Sequence, residues 1–240
     1  MHIGVIPDGN RRFMKKNGIP NLGASYEMGI NKFYDVLDWC LDLGVHEITA
    51  YALSTENLQN RGTLEIKTLL MLFSKQAESM LGSERIHKKK VRINICGDTD
   101  YLLSAGGKDL GGKLLENLKN LENATKNYKA VTLNLAIAYG GRQEIVHAAN
   151  KAAALGLPIT EENIRKNLWV KSDPELIIRT SERRLSNFLV WQSAYSEIYF
   201  VEKLWQEFDK TDLEGILSDF KSKERRFGKY AFYCSDFLAF

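Results

Sequence analysis

Short apolar runs alternate along this chain with longer stretches in which apolar residues recur every third or fourth position. The first run, Ile3-Gly4-Val5-Ile6, has strand character and stops at Pro7. Asp8-Gly9-Asn10 is turn chemistry, and residues 11–18 read as a short cationic helix. Residues 23–43 carry Tyr26, Ile30, Phe33, Val36, Leu37 and Cys40 at helical spacing, closed by Gly44. Residues 47–53 predict a buried strand that spills into the polar strand-end loop Ser54-Thr55-Glu56-Asn57. A long apolar-faced helix is expected over 64–86, and a strand over 91–96 stopping at Gly97-Asp98. An amphipathic helix follows over 113–126, then a strand over 130–139 ended by Gly140-Gly141. Helices are predicted over 142–155 and over 160–169, the second with Thr160 as N-cap. Strands over 175–179 and 196–200 and a last helix over 212–226 complete the pattern.

Strands alternating with helices of ten or more residues need crossover connections, which are right-handed and give a mostly parallel sheet. The expectation is an α/β fold: a single domain over 1–240, with a central sheet of about six strands flanked by helices. Ligands in such sheets bind beyond the carboxyl ends of the strands. The polar residues at those ends are Asp8, Gly9 and Asn10, then Ser54, Glu56 and Asn57, then Asp98, then Gly140, Gly141 and Arg142, then Arg179. The chemistry is therefore expected on one rim.

Charge changes this picture little. The net charge of +3, from 33 basic and 30 acidic side chains, gives no reason to expect a nucleic-acid partner. Cys40, Cys96 and Cys234 are far apart with no C-x-x-C, and read as reduced thiols of a cytoplasmic protein. The four histidines lack zinc spacing. No apolar run approaches the ~18 residues of a spanning helix, and the chain starts directly on a strand, so no signal peptide is expected.

Two stretches carry candidate chemistry. At residues 7–12 a strand runs through a turn into a helix, which aims free backbone N–H groups at one point and favours an anion there. Asp8 sits at that point. A carboxylate beside an anion pocket calls for a cation between them, so Asp8 suggests a divalent metal with Arg11 and Arg12 nearby; it reads equally well as a helix N-cap with solvated arginines. The second stretch is Arg179-Thr180-Ser181-Glu182-Arg183-Arg184-Leu185-Ser186-Asn187-Phe188. Arg179 emerges from an apolar strand, and Arg184 and Ser186 follow in a loop that continues into Leu189-Val190-Trp191. Guanidinium forks match phosphate oxygens, and this loop reads as a phosphate site in preference to a surface ion-pair cluster around Glu182. Gly107-Lys108-Asp109-Leu110-Gly111-Gly112-Lys113 has P-loop spacing, but Leu114 replaces the metal-binding hydroxyl and no strand precedes it; it reads as a loop into a helix. D-D-x-x-D and G-x-S-x-G are both absent. Two anion sites beside an apolar helix suggest two substrates that each carry a diphosphate and a hydrocarbon tail.

These residues resemble the cis-prenyltransferase family, of which undecaprenyl diphosphate synthase is the best-known type. The likeness runs from Pro7-Asp8-Gly9-Asn10-Arg11-Arg12 through Tyr51-Ala52-Leu53-Ser54-Thr55-Glu56-Asn57 and Arg61 to Tyr139-Gly140-Gly141-Arg142. It continues through Ile178-Arg179-Thr180, Arg184-Leu185-Ser186-Asn187-Phe188, Ser196-Glu197-Ile198-Tyr199-Phe200 and Glu224-Arg225-Arg226-Phe227-Gly228. The resemblance implies a homodimer that couples an allylic prenyl diphosphate to isopentenyl diphosphate with Mg²⁺, with at most peripheral membrane contact to release a lipid product. It implies that Asp8 positions the metal and that Gly9, Asn10, Arg11 and Arg12 hold the allylic diphosphate with support from Arg61. Arg179, Arg184 and Ser186 would hold isopentenyl diphosphate, Asn57 with Ser54 would assist proton loss, and Glu197 would reach the neighbouring subunit's metal. An apolar tunnel beside the sheet would take the product, with Leu69, Phe73 and Ile137 as its wall or floor; they read at least as well as plain core.

Several residues depart from the family pattern. Pro7, Arg11 and Phe13 replace Met, Gly and Trp, Leu58 replaces a Trp, and Tyr26 stands in place of a His. The usual phosphate-binding Arg has no counterpart among Ile19-Pro20-Asn21-Leu22, and Ser181-Glu182-Arg183 is one residue short. These changes leave open an irregular coupling of two allylic units, or a non-catalytic partner subunit.

Overall fold

The opening apolar run is strand β1 (His2–Ile6), buried at all five positions, in a computed structural model that describes residues 1–223. It is followed by α1 (Asn10–Lys16), α2 (Leu22–Asp42), β2 (Glu47–Ser54), α3 (Thr55–Asn60), α4 (Thr63–Leu81) and α5 (Glu84–Lys88). Then come β3 (Val91–Cys96), α6 (Asp100–Thr125), β4 (Val131–Tyr139), α7 (Gly141–Ala154), α8 (Glu161–Asn167), β5 (Leu176–Thr180), β6 (Glu197–Val201) and α9 (Lys210–Ser222). The six strands form one sheet in the order β3-β4-β2-β1-β5-β6, and every neighbouring pair is parallel. The expected α/β architecture is the observed one.

Alternation along the strands divides the apolar side chains between two faces. On β5, Leu176 and Ile178 join the larger core, with Val36 and Leu37 of α2, Leu70 of α4 and Leu118 of α6. Ile177 points the other way, to a smaller core with Ile6, Tyr139, Val170, Phe188 and Leu189. Both faces are covered, as a parallel sheet requires.

Helix boundaries differ from the sequence expectation at three glycine-containing breaks or strand ends. The stretch 64–86 is two helices, because Gly82 caps α4 and α5 restarts after Ser83. The loop expected over 107–112 is helical: α6 begins at Asp100 and bends at Gly107, whose φ of 65° and ψ of −176° suit a residue without Cβ. Ser54-Thr55-Glu56-Asn57 is not a loop but the start of α3, whose N-cap hydroxyl on Ser54 accepts the Asn57 N–H at 3.0 Å. Thr160 caps α8 as expected, accepting from Asn163 N–H. The last helix starts earlier than expected, at Lys210 under an Asp209–Asp212 capping box. Its expected end at Arg226, the 224–228 motif and Cys234 lie outside the described residues.

At the amino end of the sheet, opposite the rim, a buried polar network joins four strands. Asn134 Nδ2 donates to Thr49 Oγ1 and Glu47 Oε1, and Asn94 Nδ2 donates to Asn134 Oδ1. Ser172 gives its hydroxyl proton to Glu47, so it accepts from His2 Nδ1–H, while Thr49 is left to donate to His2 Nε2. These roles define a neutral imidazole. Burial lowers the His2 pKa below its ordinary 6.5, against the opposing pull of Glu47 and Glu175. A histidine depressed in the fold contributes stability above its unfolded pKa and loses that contribution as pH falls toward the folded value. Thermal midpoints are therefore expected to drop as pH is lowered from about 6.5 toward the depressed folded value, and His2→Gln is expected to flatten the slope in that window. An unchanged slope in the variant would assign the pH dependence to other groups.

Candidate active site

The sheet order explains where a ligand can sit. From β1 the chain moves toward β2 and β4, whereas from β5 it moves the opposite way to β6. A crevice opens beyond the carboxyl ends of β1 and β5 at this reversal. Ile6 and Arg179 are register partners, so the turn after β1 faces the end of β5.

Three hydrogen bonds fix that turn. Asp8 N–H donates to Thr180 Oγ1 at 2.9 Å, the Thr180 hydroxyl returns a bond to Asp8 C=O at 2.8 Å, and Trp205 N–H donates to the same carbonyl at 3.0 Å. Gly9, not Asp8, is the N-cap of α1, with φ 115° and the space of a Cβ taken by Leu204. The Asp8 carboxylate is thus free of the capping role. Its Oδ1 accepts Gly9 N–H at 2.6 Å, and its Oδ2 accepts from Arg179 at 2.7 Å.

Arg179 is the most buried cation of the site, its side chain 4% exposed. Besides Asp8 it reaches Ser186 Oγ at 2.7 Å and the Arg184 carbonyl at 2.5 Å. Its buried Nε and the buried Ser181 Oγ have no hydrogen-bond partner, and such orphan polar atoms call for a ligand or water. Ser181, Ser186, Asn187 and Leu189 all have positive φ, so the loop after β5 is held under backbone strain of the kind found at binding sites. Asn187 holds it: its Oδ1 accepts Arg142 N–H, and its Nδ2 donates to Glu56 and Gln143. Arg12 and Arg184 both bind Glu182, at 2.9 Å each. The ion-pair reading of this stretch therefore holds for Arg184, while Arg179 and Ser186 turn inward.

The corner at α3 and α4 is wired differently. Arg61 donates to Asn57 Oδ1 at 3.0 Å and to Tyr26 Oη at 2.5 Å, and pairs with Glu65 at 3.0 Å. Tyr26 donates in turn to Glu65. Burial pushes the Tyr26 phenol up to about 12, with Arg61 opposing and Glu65 adding to the rise. Arg61 thus orients Asn57, and its charge is met by Glu65.

These groups ring the mouth of a cavity of about 990 Å³. Its mouth is lined by six cations, Arg11, Arg12, Lys15, Arg61, Arg179 and Arg184, and three carboxylates, Asp8, Glu56 and Glu182. Its interior is apolar and runs between α2, α4 and the sheet, as the expected tunnel should, with Leu69, Phe73 and Ile137 on its wall. Leu118 and Leu121 of α6 also line it, a contribution the sequence concealed because α6 packs there only in three dimensions. The 19 residues of α4 give that wall a length of roughly 28 Å.

Of the residues expected at the site, Asp8, Gly9, Asn10, Arg11, Arg12, Ser54, Asn57, Arg61, Arg179, Arg184 and Ser186 all line this cavity. Asn10 turns its amide oxygen to Gln206. Asp98, Gly140, Gly141 and Arg142 are on the rim but outside the cavity; Asn187 occupies the end of β4 and the start of α7, where it accepts the Gly141 and Arg142 N–H groups. Glu197 opens β6 at the other end of the sheet and faces Lys223 at 3.5 Å, so within one chain it does not meet Asp8. Glu56, expected on the rim, lines the cavity as well, and Tyr51 and Asn187 line it without having been singled out as site residues. Tyr51 stacks on Phe188 and donates to Ser186 C=O at 3.2 Å.

The donor set fits magnesium better than a metal held by the protein alone. Among the described residues no group of three or more His, Cys, Asp or Glu gathers, and Mg²⁺ is commonly bound through one or two carboxylates plus substrate phosphates. Asp8 at a cationic mouth provides that single carboxylate. No helix of the described residues is long and apolar enough to cross a membrane.

Residues 6–228 match the family model described as "Putative undecaprenyl diphosphate synthase". A tritrans,polycis-undecaprenyl-diphosphate synthase (geranylgeranyl-diphosphate specific) of Methanopyrus kandleri is 47% identical over 239 residues, covering 95% of this chain and 84% of the relative. An isoprenyl transferase of Thermus thermophilus is 39% identical over 243 residues, covering 95% and 88%. The solved lavandulyl diphosphate synthase of Lavandula x intermedia, in complex with dimethylallyl diphosphate, superposes with a TM-score of 0.82 at 29% identity, covering 95% and 98%.

Proposed function

The chain belongs to the undecaprenyl diphosphate synthase family of cis-prenyltransferases, enzymes that lengthen prenyl chains, and from that premise we propose that it condenses geranylgeranyl diphosphate with isopentenyl diphosphate to a polycis-polyprenyl diphosphate. The carrying observation is the cavity: a mouth rich in guanidinium groups leading into a long apolar interior. The choice of primer is supported by the Methanopyrus relative, whose name specifies geranylgeranyl diphosphate.

In this reading Arg179, Arg184 and Ser186 hold the isopentenyl diphosphate, and Gly9, Asn10, Arg11 and Arg12 hold the allylic diphosphate at the start of α1. The allylic C–O bond breaks, its electron pair leaves with the diphosphate, and the isopentenyl double bond attacks the allylic carbon. Guanidinium groups already in place stabilise the leaving charge, and two anchored diphosphates align the reacting carbons. Attack through the terminal alkene carbon C4 leaves a cation on C3 of the isopentenyl unit. A proton then leaves C2, between C3 and the diphosphate-bearing carbon, to form the new double bond, assisted by Asn57, which Arg61 orients while Ser54 fixes its backbone. Magnesium, when bound, would neutralise diphosphate charge; Asp8 would hold it, with Glu197 serving the site of a neighbouring subunit in a homodimer.

Incubating the purified chain with Mg²⁺, isopentenyl diphosphate and allylic diphosphates of several lengths, followed by mass spectrometry, tests this reading. Products growing in five-carbon steps, with geranylgeranyl diphosphate as preferred primer, are expected. A branched product from two allylic substrates would replace elongation by irregular coupling, and no product from any pair would leave a partner subunit. The same assay reads tunnel depth. Ala77 is buried on the cavity wall in the far half of α4, and Ala77→Phe is expected to shift the product distribution down by at least one unit. An unshifted distribution would place the growing chain elsewhere.

A further inference from the structure

The cations at the mouth differ in whether the protein already neutralises them. Arg179 pairs with Asp8, Arg61 with Glu65, and Arg12 and Arg184 share Glu182. Next to the mouth, Lys16 is paired with Glu207 at 2.5 Å. Arg11 and Lys15 are different: both line the cavity, both are exposed, and neither has a carboxylate partner among the described residues. They are four residues apart on α1, so their side chains rise from one helix face. Met14, between them, and Leu22 also line the cavity, so this cationic pair borders apolar wall.

Arg12 turns from this face to the loop after β5, where it donates to Ser181 C=O at 3.2 Å and pairs with Glu182. Arg11 lies on the opposite side, close enough to Tyr26 for its charge to act on that phenol. The mouth therefore has two cationic flanks. One is wired internally to Asp8 and Glu182, and an incoming anion there must compete with a carboxylate. The other presents two charges that nothing in the described chain cancels.

We propose that Arg11 and Lys15 form the subsite for the terminal phosphate of the allylic diphosphate, with Lys15 as a further binding residue that discriminates a diphosphate from a monophosphate. The inference rests on the allylic reading above. A lysine is a mobile point charge able to follow a phosphate, and Arg11 adds a fork on the side of Tyr26. The subsite lies beside the apolar wall, so the prenyl tail enters the cavity as the phosphate docks. Isopentenyl diphosphate, held by Arg179 and its loop, would not touch it.

The test compares wild type, Lys15→Gln, Lys15→Arg, Arg11→Gln and Lys16→Gln, using geranylgeranyl diphosphate, geranylgeranyl monophosphate and isopentenyl diphosphate as probes. Loss of one charge-assisted contact is expected to raise KM for geranylgeranyl diphosphate about tenfold in Lys15→Gln and in Arg11→Gln. KM for isopentenyl diphosphate should stay within twofold, and Lys15→Arg should restore the allylic KM. The ratio by which the protein prefers the diphosphate over the monophosphate as a competing ligand should shrink in Lys15→Gln and stay unchanged in Lys16→Gln. An allylic KM that does not move in Lys15→Gln, or equal increases for both substrates, would overturn the subsite and leave the proposed reaction intact. Wild-type protein that binds neither diphosphate would overturn the reaction and the subsite together.

Discussion

Asp8→Asn is expected to lower kcat by roughly 10²- to 10³-fold, the range for removing one preorganised charge-stabilising group, in a protein that still folds. Asparagine keeps one acceptor oxygen for the Gly9 N–H but turns an amide NH2 toward the Arg179 guanidinium, so that bond is lost, while the turn's bonds to Thr180 and Trp205 survive because they use the Asp8 main chain. The negative charge is lost as well. Without it the Arg179 guanidinium has no counter-ion, and the mouth becomes more positive. Prenyl diphosphates should therefore bind at least as tightly as to wild type in the absence of magnesium, while the gain in affinity expected from magnesium on wild type should be absent in the variant. Measuring diphosphate affinity with and without Mg²⁺ separates this outcome from misfolding. A variant with undiminished turnover would remove Asp8 from the reaction.

Arg179→Lys is expected to cost about a hundredfold or more in kcat/KM for isopentenyl diphosphate, as truncating one partner of a buried hydrogen-bonded charge pair does. Charge is conserved in this change, but geometry is not. One guanidinium now binds the Asp8 carboxylate, the Ser186 hydroxyl and the Arg184 carbonyl at once. An ammonium carries three donors without the planar fork and cannot reproduce that spread. The loop after β5, strained at Ser186 and Asn187, loses part of what holds it, so the allylic KM should rise less than the isopentenyl KM. Equal rises in both would mean that Arg179 serves the whole mouth rather than one half of it.

Much of the fold can be read from local pattern. β1, α2 and β4 stand close to their predicted positions because each presents one clear period bounded by glycine or proline. The breaks at Gly82 and Gly107 are harder, since a glycine in a helical pattern fits a cap, a bend or an uninterrupted helix equally well. The order of the strands is not local information at all, and with it goes the reversal between β1 and β5 that opens the crevice. Asp8, Arg179, Arg184 and Ser186 stand out in the sequence because they cluster at or just after strand ends, although Asp8 taken alone reads equally well as a helix N-cap. Their wiring does not. That Glu182 is shared by Arg12 and Arg184, or that Tyr26 and Glu65 engage Arg61, depends on contacts between segments tens or hundreds of residues apart. Cys40 and Cys96 are free and buried, as read from their surroundings.

The parallel sheet has two ends, and they stand in different relations to substitution. At the amino end His2, Thr49, Asn134 and Glu47 form an interlocked set in which a change to one strands the others. At the carboxyl end lie Pro7, Arg11, Tyr26, Leu58 and the stretch 181–183, the positions at which the sequence departs from the pattern of the family it resembles. Substitutions that retune which prenyl diphosphate enters can thus be made at one edge without touching the polar set at the other. Substrate choice can therefore be altered with small effects on folding, except at Asp8 and Arg179, whose ion pair lines the cavity and also ties the turn after β1 to the end of β5.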